Sequence, residues 1–120
     1  MYGPRDGADV VYKRGNAEEV KFKKAMFTEN SKRVAKTKTY IEKKSWEDVR
    51  SELIRQAYNM RNTMNYLAAQ SGKPEAKAAA KEFYQNLEQV NLLSKRKKQD
   101  AALAAYDDMM ASLDKFSKLI

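Results

Sequence analysis

SWEDVRSELIRQAYNMRNTMNYLAAQS, residues 45–71, carries the clearest periodic signal in the chain. Trp46, Val49, Leu53, Ala57, Met60, Met64 and Leu67 follow one another at spacings of three or four residues. A helix gathers residues so spaced onto one face, giving an apolar stripe backed by polar and charged side chains. Ser45 stands ahead of the stripe as N-cap, with Asp48 three residues on in place of the usual capping-box Glu. Ser71-Gly72-Lys73-Pro74 closes the segment, and Pro74 suits the first turn of a following helix.

Trp46 is the only tryptophan and directly follows Lys43, Lys44 and Ser45. A ring beside two lysines can be a platform for a nucleic-acid base or a core anchor at a helix junction. Its register with Val49 and Leu53 assigns it to the apolar stripe, so Trp46 reads as a structural anchor.

Working outward, Ala76, Ala80, Phe83, Leu87 and Val90 mark a third helix that ends near LSKRKKQD. Ala102, Tyr106, Met109, Leu113, Phe116 and Ile120 mark a fourth, with Asp100 as its cap. On the N-terminal side Val20, Phe27, Val34 and Ile41 recur every seven residues, flanked by Met26 and Tyr40. Lys24, Ser31 and Lys38 interrupt that stripe, so the first helix is the least amphipathic of the set. Residues 1–17, with three Gly and one Pro, read as a short irregular N-terminal arm. Four helices with short connections imply antiparallel neighbours. The expected fold is all-α: an up-down-up-down four-helix bundle over 18–120, with a three-helix bundle and a frayed first helix as its competitor.

A length of 120 residues is one domain, enough to bury roughly 65% of the unfolded surface. Cys and His are both absent. Disulfides, thiolate metal sites and thiol nucleophiles therefore drop out. So do the Glu-x-x-His di-iron centre, the His-ligated haem and the phosphorelay histidine. No phosphate-binding glycine loop or nucleophile elbow appears. The acid pairs Glu18-Glu19, Glu47-Asp48 and Asp107-Asp108 diverge by about 100° on a helix and read as solvated. No catalytic, cofactor-binding or metal residue is assigned, no cofactor is expected, and the chain is read as a non-enzyme. It has no apolar run of about 18 residues, so no span is expected. MYGPRDGADV lacks the apolar core of a secretion signal, implying a cytosolic chain or one whose targeting peptide has been removed.

Charge is the informative surface feature. Lys and Arg number 24 against 16 Asp and Glu. Residues 20–44 hold nine bases against Glu29 and Glu42, and residues 95–98 read Lys-Arg-Lys-Lys. A helix so unbalanced is a candidate binding face for something acidic, whether nucleic acid, anionic headgroups or a protein. No nucleic-acid reader motif is present, and the aromatics fall mainly on core stripes. The candidate contacts on the first helix are Lys21, Lys24, Lys32, Arg33, Lys36 and Lys38. On the arm they are Tyr2, Arg5, Tyr12 and Arg14.

Residues 41–65 resemble the PsbQ family, extrinsic lumenal subunits of photosystem II. The matching elements are Ile41, an acid, Lys43-Lys44, a small residue and Trp46, followed by Val49, Leu53, Ala57, Arg61 and Asn65. Met60 and Met64 stand where the family usually has Leu. The likeness continues through Phe83, Leu87, the basic 95–98 turn, Tyr106 and Leu113, and is nearest the PsbQ-like form of red-lineage algae. It departs from the plant form in lacking a long Pro-rich tail and in carrying Glu47 where Pro is common. It departs from the cyanobacterial form in lacking a lipidated Cys.

The resemblance implies a non-catalytic bundle in the plastid thylakoid lumen, peripheral on the membrane through protein contacts. Its partners would be photosystem II core subunits and other extrinsic proteins of the oxygen-evolving complex, with no nucleic acid. Its role would be to stabilise that complex and support calcium and chloride retention. A basic nucleic-acid-binding domain and a general helical adaptor are the alternatives from the residues alone. Arg61, beside the Met60–Met64 stripe, could snorkel to a Glu on a neighbouring helix or be a contact residue.

Overall fold

The computed structural model describes residues 3–120, with side chains from Ala17 onward. Its helical segments are α1 (Gly3–Ala35), α2 (Thr37–Glu42), α3 (Trp46–Ser71), α4 (Pro74–Lys95) and α5 (Gln99–Leu119), with no strand among the described residues. α1 and α2 together make the expected first helix, and the four units form the expected up-down-up-down bundle. The helical span of α1 reaches back to Gly3, through the stretch read as an irregular arm. Pro4 falls in its first turn, where a missing N–H does no harm.

α3 packs against α1 and α2 on one side and α4 on the other; α4 packs on α5, and α2 returns against α5. The rings of Phe27 and Phe116 meet at 5.3 Å and close α1 against α5. That contact excludes the three-helix alternative. Val49, Leu53, Met60, Met64 and Leu67 on α3 are at most 1% exposed, as are Phe83 and Val90 on α4 and Met109 and Phe116 on α5. Each such side chain, taken out of water, contributes about 1.5–3 kcal/mol. Trp46 is half-buried and packs on this core where α3 begins.

The first helix breaks at Lys36. The Thr39 N–H turns to the Lys36 carbonyl at 3.1 Å, a tighter pairing than a helix interior makes. The carbonyls around the break find side chains instead. Thr37, fully buried, donates its hydroxyl to Val34 at 2.6 Å, and Tyr106 reaches from α5 to donate to Ala35 at 2.9 Å. Both groups lie where an unpaired carbonyl would be expensive. Tyr106 is therefore a clamp on the break as well as part of the α5 stripe.

Two helix ends share one unusual geometry. After α2, the Lys44 N–H donates to Ile41 (3.0 Å) and the Ser45 N–H to Tyr40 (2.8 Å). After α4, the Lys97 N–H donates to Ser94 (3.0 Å) and the Lys98 N–H to Leu93 (3.0 Å). These are paired Schellman turns. Their left-handed residue is Lys44 in one and Lys97 in the other, each at φ 56°, where glycine usually stands. The third end uses Gly72 at φ 67°, and α4 then starts on Pro74 as expected.

Two expected caps do not form. Ser45 is at the N-cap of α3 but makes no side-chain cap bond. Its N–H is committed to Tyr40, so nothing is left for Asp48 to receive in a capping box. The cap position of α5 is Lys98, not Asp100, which lies in the first turn. Gln99 instead crosses to the other corner, donating to the carbonyls of Ile41 (3.2 Å) and Glu42 (3.0 Å).

Tyr106→Phe keeps the ring and deletes only the clamp. Urea unfolding of this variant should show a loss of about 1 kcal/mol, the net worth of one part-buried hydrogen bond. An unchanged midpoint would show that the Ala35 carbonyl does not depend on the phenol.

Candidate docking surface

α1 buries Phe27 and Val34, and its outer side carries the cations. At about 100° per residue, Lys21, Lys32 and Lys36 fall within about 60° of one another and Lys24 flanks them. All four are exposed. Arg33, also exposed, flanks the stripe on the other side, about 60° beyond Lys36. Lys38 lies beyond the break, on α2, and is also exposed. Tyr2 and the side chains of Arg5, Tyr12 and Arg14 lie outside the described residues.

Glu19 and Lys23 on α1 have internal contacts. Glu19 accepts from the Tyr66 hydroxyl at 3.0 Å, and the Lys23 ammonium lies 5.5 Å from the Tyr66 ring centre. These two contacts pin α1 to α3. On α3 to α5 the ion pairs are Arg55–Glu52 (3.8 Å), with Glu52 mostly covered, and the exposed Lys115–Glu82 (3.9 Å) and Lys118–Asp114 (3.0 Å). Exposed pairs are worth about 0–1 kcal/mol each, so they neutralise the surface more than they stabilise the fold. No such pair engages Lys21, Lys24, Lys32, Arg33, Lys36 or Lys38 among the described residues. The first helix thus carries six exposed cations with no described carboxylate partner.

Arg61 has a partner that its sequence context did not suggest. Its guanidinium sits 5.4 Å from the ring centre of Tyr84 on α4, a cation–π contact in place of an expected Glu. The Tyr84 hydroxyl is buried without a protein partner. Burial pushes its pKa up to about 12, with Arg61 pulling the other way. Tyr106 is also raised, first by burial and then by Asp107 and Glu42.

Beside this contact an open groove between α3 and α4 is lined by Ile54, Ala57, Tyr58, Arg61, Leu87 and Asn91. Ile54 and Tyr58 are 57% and 84% exposed on its rim. These apolar residues stand one step off the stripe of α3, and reading the buried face alone passes over them. Among the described residues no three carboxylates converge to hold a metal ion, and no helix is long and apolar enough to cross a membrane.

These features define a class: a helical bundle with a cationic first helix and no assembled catalytic group among the described residues. Its place in biology comes from comparison. The chain matches the family described as PsbQ, oxygen evolving enhancer protein 3, over residues 8–120, and it belongs to that family. Members are extrinsic, non-catalytic subunits of photosystem II, so this chain is an oxygen-evolving enhancer and not an enzyme. No curated protein matches it.

The raised tyrosines set a pH limit. A phenol held protonated in the fold but free to ionise when unfolded supports stability below about pH 10. That support fades as pH climbs from about 10 towards the folded value near 12. Denaturation midpoints should therefore fall across this window in the wild type and fall less in Tyr84→Phe. Equal slopes would show that Tyr84 titrates like a solvated phenol.

Proposed function

We propose that this chain is peripheral on the lumenal side of the plastid thylakoid membrane, held to photosystem II by protein contacts. There it stabilises the oxygen-evolving complex, supports calcium and chloride retention at the manganese cluster, and assists binding of other extrinsic subunits. Those ions belong to the core complex, and no ligand to them is assigned in this chain. The family match over residues 8–120 is the observation that carries this reading.

The unpaired stripe of Lys21, Lys24, Lys32 and Lys36 supplies a means of docking on an acidic surface. Arg33 and Lys38 widen the positive field around it. Exposed charges at the edge of an interface act mainly on association rate and salt sensitivity. A charge-steered contact of this kind needs no deep pocket. Tyr2, Arg5, Tyr12 and Arg14 are proposed to add contacts from an arm over 1–17, with 18–120 as the bundle.

Adding the chain to salt-washed photosystem II should raise oxygen evolution at limiting calcium and chloride. Lys32→Glu/Lys36→Glu, with wild-type helicity, should need more protein for the same recovery, most clearly at low salt. Recovery by the double variant at wild-type concentrations would remove the α1 stripe from the interface. No recovery with the wild type would contradict the retention role itself.

A further inference from the structure

The two lysine turns lie at the same end of the bundle. α2 ends and α3 begins there, and α4 ends and α5 begins there. Gln99 ties them together through the carbonyls of Ile41 and Glu42, across 58 and 57 residues of sequence. Lys43, Lys44, Lys95, Arg96, Lys97 and Lys98 are all exposed, and none is paired with a described carboxylate. The nearest acids in sequence are Glu42 at the end of α2, with Glu47, Asp48 and Asp100 in the first turns of α3 and α5. The positive ends of α3 and α5 already balance the last three.

Lysines near a helix C-terminus have an ordinary explanation, since they complement the negative end of the helix. Lys95, in the last turn of α4, fits it. Lys44 and Lys97 do not fit it as well. Each holds the left-handed position that glycine takes without strain. The helix end would be served equally by Lys43 and Arg96, one residue earlier. Twice, at one pole, a residue stays in unfavourable backbone geometry although its ammonium forms no ion pair in the described chain. Backbone strain retained in one place is characteristic of sites used for something other than folding.

We propose that this pole is a second docking point, and that its occupant is an acidic protein surface of photosystem II. The proposal rests on the functional reading above and adds a contact to it, at the end of the bundle away from Gly72. Charge complementarity selects a carboxylate-rich partner for six clustered cations. A membrane surface suits the pole less well. Peripheral lipid binding pairs basic residues with several apolar ones that enter the bilayer, and of the exposed large apolar residues, Phe22, Ile54, Tyr58 and Leu92, Leu92 alone, in the last turn of α4, adjoins the cations.

Lys44→Gly/Lys97→Gly separates folding from docking, because it should move them in opposite directions. Relief of the two strained turns should raise the melting temperature by about 3–8 °C. Loss of two cations should raise the dissociation constant on salt-washed photosystem II roughly fivefold at low salt, with the difference vanishing at high salt. Lys43→Glu/Arg96→Glu should weaken binding further without touching either strained residue. Unchanged affinity in both variants, with the wild type still binding, overturns the pole and leaves the family reading intact. A wild type that does not bind photosystem II overturns the reading beneath it. Wild-type binding of equal strength to phosphatidylglycerol vesicles, lost in the same variants, makes the occupant a lipid surface and also overturns the proposal.

Discussion

Burial of the α3 stripe from Val49 to Leu67 is the constraint on which the bundle depends. α3 is the helix that meets α1, α2 and α4, and its side chains fill the space between them. With no Cys and no His in the sequence, neither a disulfide nor a histidine-held metal can share the task. Ordering the backbone costs about 1–2 kcal/mol per residue, and apolar burial is the main term large enough to oppose it. Met60 and Met64 suit that position, since unbranched thioether chains adapt to the neighbours on several sides.

Once that core is closed, the other features are adjustments to it. The first helix brings Phe27 and Val34 on one side of its break, and Ile41 on the other, into the same core. Breaking at Lys36 frees the carbonyls of Val34 and Ala35, and Thr37 and Tyr106 satisfy them. The corners are then drawn together by Gln99. Charge follows the same division. The ion pairs among the described residues lie on α3, α4 and α5, while the cations of the first helix and the corner turns have no such partner. An extrinsic subunit needs such a division, because it must fold alone and still have surface to give to a complex.

The stripes of α3, α4 and α5 were legible because each is a local pattern, three or four residues at a time. Every residue assigned to those stripes lies in the core or packs against it. Polar core members were not legible. Thr37, Gln56, Thr63, Ser94 and Ser112 are buried although periodicity alone would place polar residues outside. Thr37 and Ser112 succeed by giving their hydroxyls to backbone carbonyls three residues back. The capping box at Ser45 read correctly as a position and wrongly as a bond, since a Schellman turn had already claimed the Ser45 N–H. The meeting of the two basic corners was beyond local reading, because it depends on helix lengths and on a contact between Gln99 and Ile41.

Equilibrium binding of the purified chain to salt-washed photosystem II, titrated with salt and repeated with excess duplex DNA, tests the central claim most directly. A cationic bundle that recognises an acidic protein surface should bind saturably, weaken as salt rises, and keep its affinity when DNA is present. Competition by DNA at stoichiometric concentrations, with a steep log–log salt dependence for DNA itself, would identify a nucleic-acid binder instead and contradict it.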